Sequence, residues 1–231
     1  MNELMVKMEN VSKVYSSSSG DVIALNNINL DVHVGELVAI VGKSGSGKTT
    51  LLNIISGLDQ PTAGTITLDG VNLSEITNQE ALSIRRNKIG MVFQTFGLLS
   101  LLSAYENVEL QLRIAGIKYP ERDSYTKDAL EQVGLGSRTT HRPDELSGGE
   151  QQRVSIARAI AKKPKILFVD EPTSHLDSRN TRIICDLFRK LSRQDNITLV
   201  MVTHDQPLID IADSTKTVSY THLTLPTTPY V

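Results

Sequence analysis

The sequence predicts an α/β domain: a mostly parallel sheet flanked by helices, with an antiparallel β region at the N-terminus and a helical lobe inserted in the core. Three observations predict it. Short, nearly all-apolar runs, "GELVAIVG", "KILFVDEP" and "NITLVMVTHD", read as strands buried on both faces. Segments of helical period separate these runs, the alternation expected of a parallel sheet. A stretch from about 97 to 145 is helical with no strand pattern in it, which sets it apart as a lobe.

Taken in order, residues 4–34 alternate short apolar and polar positions, and "SSSSGD" at 16–21 interrupts them as a turn, which gives the antiparallel region. The buried strand at 35–42 leads into a helix from Lys48 to about Ser56, ended by Gly57. "PTAGTITLDG" at 61–70 is a turn and a strand, 78–88 a charged helix, and "KIGMVFQ" at 88–94 another buried strand. "AYENVELQLRIAG" and "SYTKDALEQVG" are the helices of the lobe. "GGEQQRVSIARAIAKKP" is a helix closed by Lys162, Lys163 and Pro164. The strand "KILFVDEP", a helix at 178–193 and the strand "NITLVMVTHD" follow.

The chain of 231 residues carries 24 Lys+Arg against 26 Asp+Glu, a net charge of −2, and is 39% hydrophobic. That length suits one large domain with an inserted lobe, and the apolar content suffices for a sizeable core. The charge balance lacks the basic excess of a generic nucleic-acid binder, so no nucleic-acid partner is expected. No apolar run approaches the ~20 residues of a membrane-spanning helix, and "MNELMVKMENVSKVY" does not read as a signal peptide. A single cysteine, Cys185, excludes an intrachain disulfide and sits between apolar neighbours at helical spacing, as a small core residue does.

The tail differs. "VSYTHLTLPTTPYV" has neither period, and residues 218–227 back-translate without conflict as GTC TCT TAT ACA CAT CTG ACG CTG CCG ACG, which resembles a sequencing-library adapter. The expectation is therefore a single domain over 1–217 (core at 1–96 and 146–217, lobe at about 97–145) followed by a non-native tail at 218–231.

The chemistry is carried by three stretches. "GKSGSGKT" matches G-x-x-x-x-G-K-[ST] in full, between a buried strand and a helix. Gly42, Lys43, Ser44, Gly45, Ser46, Gly47, Lys48, Thr49 and the adjoining Thr50 are the candidate phosphate-binding residues. The glycines let backbone N–H groups face inward, and the helix N-terminus adds positive potential. Lys48 pairs with the outer phosphates and Thr49 holds Mg²⁺. "ILFVDE" puts Asp170 and Glu171 at the C-terminal end of a strand, where open α/β sheets bind ligands. Asp170 is expected to hold Mg²⁺ through its water shell, and Glu171 to orient and deprotonate an attacking water. "LSGGE" has the S-x-x-E spacing of a capping box between Ser147 and Glu150. A cap alone leaves Gly148 and Gly149 unexplained, since each costs up to ~1 kcal/mol of helix propensity; bare glycines there let a phosphate approach the backbone.

"GKSGSGKT", "LSGGEQQR", "ILFVDE" and "VTHD", in this order, resemble the nucleotide-binding subunit of an ATP-binding cassette (ABC) transporter over about residues 4–217. The resemblance implies a P-loop NTPase fold with a RecA-like core, ATP and Mg²⁺ as ligands, and ATP hydrolysis. It further implies that Tyr15 stacks on adenine, Gln94 touches Mg²⁺, Asp177 crosses a dimer interface and His204 contacts the γ-phosphate. Taken singly, Tyr15 could be a strand aromatic, Gln94 a loop amide and His204 a solvated cap. The family pattern adds a head-to-tail homodimer in which Ser147, Gly148, Gly149 and Glu150 of one subunit meet ATP held by the other. An integral-membrane permease completes it, which puts this subunit on the cytoplasmic face of the cell membrane, together with an extracytoplasmic adaptor in some systems. "MVFQTFGLLSLLSAYENVELQL" resembles the ATPases of macrolide, lipoprotein and antimicrobial-peptide export. His175 and Lys43 depart from the usual small residue or Asn and Pro. A regulatory module that ties cell-wall hydrolases to division shares every motif and is the alternative.

Overall fold

A computed structural model describes residues 3–17, 20–218 and 223–224. β1 (Leu4–Ser17) and β2 (Gly20–His33) form a long, bulged antiparallel pair, and β4 (Ala63–Leu68) and β5 (Val71–Asn72) extend it into a four-stranded sheet of order β2-β1-β4-β5. The second sheet has six strands, β10-β9-β3-β8-β7-β6, built from β3 (Leu37–Val41), β6 (Ile89–Val92), β7 (Ile166–Asp170), β8 (Thr198–Val202), β9 (Ser214–Val218) and β10 (Leu223–Thr224). All its pairings are parallel except β10 with β9.

The apolar strands are apolar because both faces are covered. Val38, Ile40, Ile166, Phe168, Val200 and Val202 point to one core with the antiparallel sheet and α1 (Lys48–Ile55). Leu37, Leu167, Val169, Leu199 and Met201 point to a second core. That core is completed by α3 (Ala104–Ile114), α4 (Glu121–Gln132), α5 (Gly148–Ile160) and α6 (Ser178–Arg193). Residues 97–145 hold no strand, as expected, but the inserted helices share this core with the sheet. In α6, Ile184, Leu187, Phe188 and Leu191 recur at helical spacing and are buried, while Arg189, Lys190 and Arg193 face outward. Cys185 lies in the same core, and burial pushes its thiol up to about 11, which makes it a packing residue.

The first two helices fall where expected, and three short elements were not foreseen. α1 ends at Ile55, with Gly57 at φ +68° turning the chain away. α2 (Asn78–Lys88) matches its predicted span. α7 (Gln206–Ile209), β5 and β9 carry no period long enough to read. Val218, assigned to the tail by its sequence, closes β9 with 2% exposure, and residues 223–224 pair antiparallel with 217–218. The rest of the tail lies outside the described residues.

The placement of the site follows from strand direction. β3, β7 and β8 run parallel, so the loops after them emerge at one edge of the sheet. These loops carry residues 42–49, Asp170 with Glu171, and His204.

Candidate nucleotide site

A cleft of about 810 Å³ opens at that edge, lined by Tyr15, Val22, Ile23, Ala24, residues 42–45 and 47–50, Gln94, Asp170, Glu171, Val202 and His204. It brings together the predicted phosphate-loop residues with Tyr15, Gln94, both acids and the histidine; Ser46 lies just behind the loop.

The loop is shaped for close backbone approach. Gly45 and Gly47 have φ of 78° and 90°, conformations that side chains resist. A Cβ on Gly42 would run into the Val218 carbonyl and Ser46 Oγ, and one on Gly47 into the Ala24 carbonyl. Lys48 Nζ donates to the carbonyls of Gly42 at 2.8 Å and Lys43 at 3.0 Å, which lays the ammonium along the loop. Ser46 Oγ is buried with no hydrogen-bond partner among the described residues. An orphaned buried hydroxyl beside a glycine cradle fits a phosphate-binding loop.

Thr49 Oγ1 donates to Asp170 Oδ2 at 3.2 Å. Burial raises the Asp170 pKa, and the neighbouring Glu171 charge adds to that, against Thr49 and Lys48. Among the described residues, no cluster of three or more His, Cys, Asp or Glu could hold a metal. A hydroxyl, one carboxylate and an amide beside a phosphate site are instead the sparse oxygen set that Mg²⁺ takes when phosphates complete its shell, so Thr49, Asp170 and Gln94 fit this ion.

Glu171 is held in a left-handed conformation at φ 44°, uncommon for a residue with a side chain. Its N–H donates to the Val202 carbonyl at 2.9 Å, and its carboxylate lies 2.9 Å from His204 Nδ1. Behind the pair, Thr173 Oγ1 donates to Asp205 Oδ2 at 2.7 Å. The two loops are thus stitched together at three points.

At the other end, Tyr15 Oη donates to Asp59 Oδ2 at 2.8 Å, and Lys13 Nζ pairs with Asp59 Oδ1 at 2.7 Å. Burial, then Asp59, raises the Tyr15 pKa; burial opposes but does not outweigh Lys13, Tyr15 and the Gln60 N–H in holding Asp59 low. No local pattern marks Lys13, Asp59 or the Thr173–Asp205 pair, since their partners are distant in the chain.

Ser147, Gly148, Gly149, Glu150 and Asp177 do not line the cleft. Ser147 caps α5: its Oγ accepts from Glu150 N at 3.3 Å, and Glu150 Oε2 accepts from Ser147 N at 2.9 Å. Asp177 caps α6 by accepting from Asn180 N at 2.8 Å, and its second oxygen holds the Asn180 amide at 2.9 Å. Gly149 packs against that amide; a Cβ there would overlap Asn180 Oδ1. One of the two glycines therefore has an intramolecular reason that the sequence did not reveal, while Gly148 makes only ordinary contacts.

A glycine-cradled loop, an acid pair beyond a parallel strand and a covered sheet define a P-loop ATPase. The ABC transporter family matches residues 25–174, and the chain belongs to it as an ATP-binding, ATP-hydrolysing subunit. It is 46% identical over 206 residues to the uncharacterized ABC transporter ATP-binding protein YknY of Bacillus subtilis, covering 89% of each chain. It is 40% identical over 213 residues to the lipoprotein-releasing system ATP-binding protein LolD of Legionella pneumophila, covering 92% of this chain and 94% of that one. Two solved structures of the MJ0796 cassette, whose sequence is that of Methanocaldococcus jannaschii, superpose with TM-scores of 0.87 and 0.88 at 41% identity. Both cover 95% of this chain and 96% of theirs; both are dimeric, and one is a post-hydrolysis state bound to ADP and Pi.

Proposed function

We propose that the chain is the motor of an export or mechanotransmission system for a peptide, antibiotic or lipoprotein, working on the cytoplasmic face of the cell membrane. The observation that carries the motor reading is the pairing of strained Glu171 with His204 across the cleft from the phosphate loop. Lys48 and the loop amides bind and orient the phosphates. Thr49, Asp170 and Gln94 would hold Mg²⁺, which when bound would neutralise charge at the phosphate oxygens. Glu171 takes the proton from the attacking water, and His204, on the Glu171 side chain, contacts the γ-phosphate. Tyr15 stacks on the base. Ser147, Gly148, Gly149 and Glu150 reach the γ-phosphate of the partner subunit's ATP, with Asp177 at the interface. The dimeric MJ0796 structures support this arrangement, and the similarity to LolD supports a lipoprotein-type cargo and a permease partner.

The docking surface for the permease is a groove of about 460 Å³ between the sheet and the inserted helices, lined by Leu58, Met91, Phe93, Leu99, Leu110 and Ile114 among others. Leu58, Phe93, Leu99 and Ile114 are exposed at 52%, 42%, 49% and 52%, and among the described residues no helix is long and apolar enough to cross a membrane.

Glu171→Gln keeps the side chain's size and removes the base. ATP affinity by calorimetry should stay within a few-fold, while turnover falls by at least ~100-fold. Unchanged turnover would remove Glu171 from the role of base.

A further inference from the structure

The base-binding end of the cleft holds a built arrangement that the phosphate chemistry does not use. Tyr15 is 42% exposed and lines the cleft beside Val22 and Ile23, themselves 59% and 57% exposed. Tyr15 and Val22 are cross-strand partners, as are Val14 and Ile23, so the apolar patch is fixed by the β1–β2 register. Lys13 Nζ sits 4.8 Å from the centroid of the Tyr15 ring, so one ring face is covered by a cation and the other is left for a flat ligand. The phenol is not free to swing, because Asp59 accepts its hydrogen bond at 2.8 Å and simultaneously holds Lys13 at 2.7 Å. Asp59 is itself anchored: its N–H donates to the Asn53 carbonyl at 3.1 Å, and Asn53 lies in α1, the helix that begins with Lys48 of the phosphate loop. Lys13 adds a second tie, to the segment that follows α1, by donating to the Gln60 carbonyl at 2.7 Å.

We propose that Asp59 is a positioning residue for the nucleotide base, locking the Tyr15 ring and its Lys13 backing at a set distance from the phosphate-loop helix. The inference rests on the reading of Tyr15 as the base platform and adds what holds that platform in place. A purine spanning from Tyr15 to Lys48 then meets two ends referenced to one rigid element, and little ordering is left to be done on binding.

Calorimetry with Mg-ADP and, separately, Mg-pyrophosphate tests this, since only ADP reaches the platform. Asp59→Ala and Tyr15→Phe should each weaken ADP by about five-fold, as a platform no longer held in place would, and the double variant should be no weaker than either by more than about two-fold. Pyrophosphate affinity should stay within about two-fold of wild type in all three. Tyr15→Phe leaves Asp59 and Lys13 in place and carries the test alone if Asp59→Ala does not fold. ADP affinity retained by either single variant overturns the proposal, as does an equal loss for pyrophosphate or additive losses in the double variant. Tyr15→Ala separates the two levels. If it weakens ADP while Asp59→Ala and Tyr15→Phe do not, Asp59 has no part in an otherwise valid platform; if Tyr15→Ala also binds ADP normally, the platform reading itself fails.

Discussion

Lys162 shows how one side chain can be set by what it packs against. Its amine donates to the carbonyls of Arg85 and Arg86, both at 2.8 Å, and so ties the end of α5 to the last turn of α2. Burial disfavours the charged form and lowers its pKa from 10.5 to about 8. The folded value lies below the unfolded one, so between about 8 and 10.5 the unfolded chain holds more protons, and stability rises with pH across that window. Below it, both states are protonated and the burial penalty is constant. Lys162→Met removes the titration. The stability difference between wild type and Lys162→Met, from urea unfolding at pH 7.5 and 9.5, should move toward wild type at the higher pH by on the order of 1–2 kcal/mol. A difference that does not change with pH would place the Lys162 pKa at its ordinary value.

At the scale of elements, α5 carries a cap in the same residues that are proposed to meet the partner's ATP. Its capping box recurs on α2 (Thr77 with Glu80) and α3 (Ser103 with Glu106), where no ligand is in question, so the box at Ser147 is first a helix start. Ser147→Ala should therefore cost about 1 kcal/mol in urea unfolding of the nucleotide-free protein, whatever it does to ATP hydrolysis. No loss at all would mean that Glu150 and the backbone satisfy that end without the hydroxyl. The same helix marks where the sequence was legible and where it was not. Ser147 and Glu150 are three apart and declare themselves. Gly149 faces Asn180, held by Asp177 and reached by Arg153 Nη1 at 3.4 Å, and no local pattern encodes a contact thirty residues away. The strands show the same division. β3, β7 and β8 are buried on both faces and read as unbroken apolar runs. β9, "STKTV", is mostly half-buried beside β3 and reads as a loop. The phosphate loop and the acid pair sit at strand ends and were readable from flanking apolar residues; His204 was named only through the family resemblance, and Asp59, 44 residues from Tyr15, was not readable at all.

For the molecule as a whole, the separation of the phosphate loop from the start of α5 bears on the working unit. Residues 42–50, Asp170, Glu171 and His204 gather at one edge of the sheet, whereas Ser147 and Asp177 head helices outside that cleft. If Ser147 acts on ATP, it acts on ATP held by another copy, and the two defects can complement each other. Lys48→Ala disables the phosphate loop but leaves a normal α5 start; Ser147→Arg does the reverse. Homodimers of either variant contain two defective sites. A mixed dimer contains one site defective in both parts and one intact, built from the phosphate loop of the Ser147→Arg chain and the α5 start of the Lys48→Ala chain. Mixing equal amounts of two inactive proteins makes half the dimers mixed, each with one working site, so ATPase activity should return to about a quarter of wild type. That recovery should rise with total protein concentration, because the dimer must form before either site is complete. If each chain completed its own site, mixing would restore nothing at any concentration, and the measurement separates the two arrangements without reference to the permease.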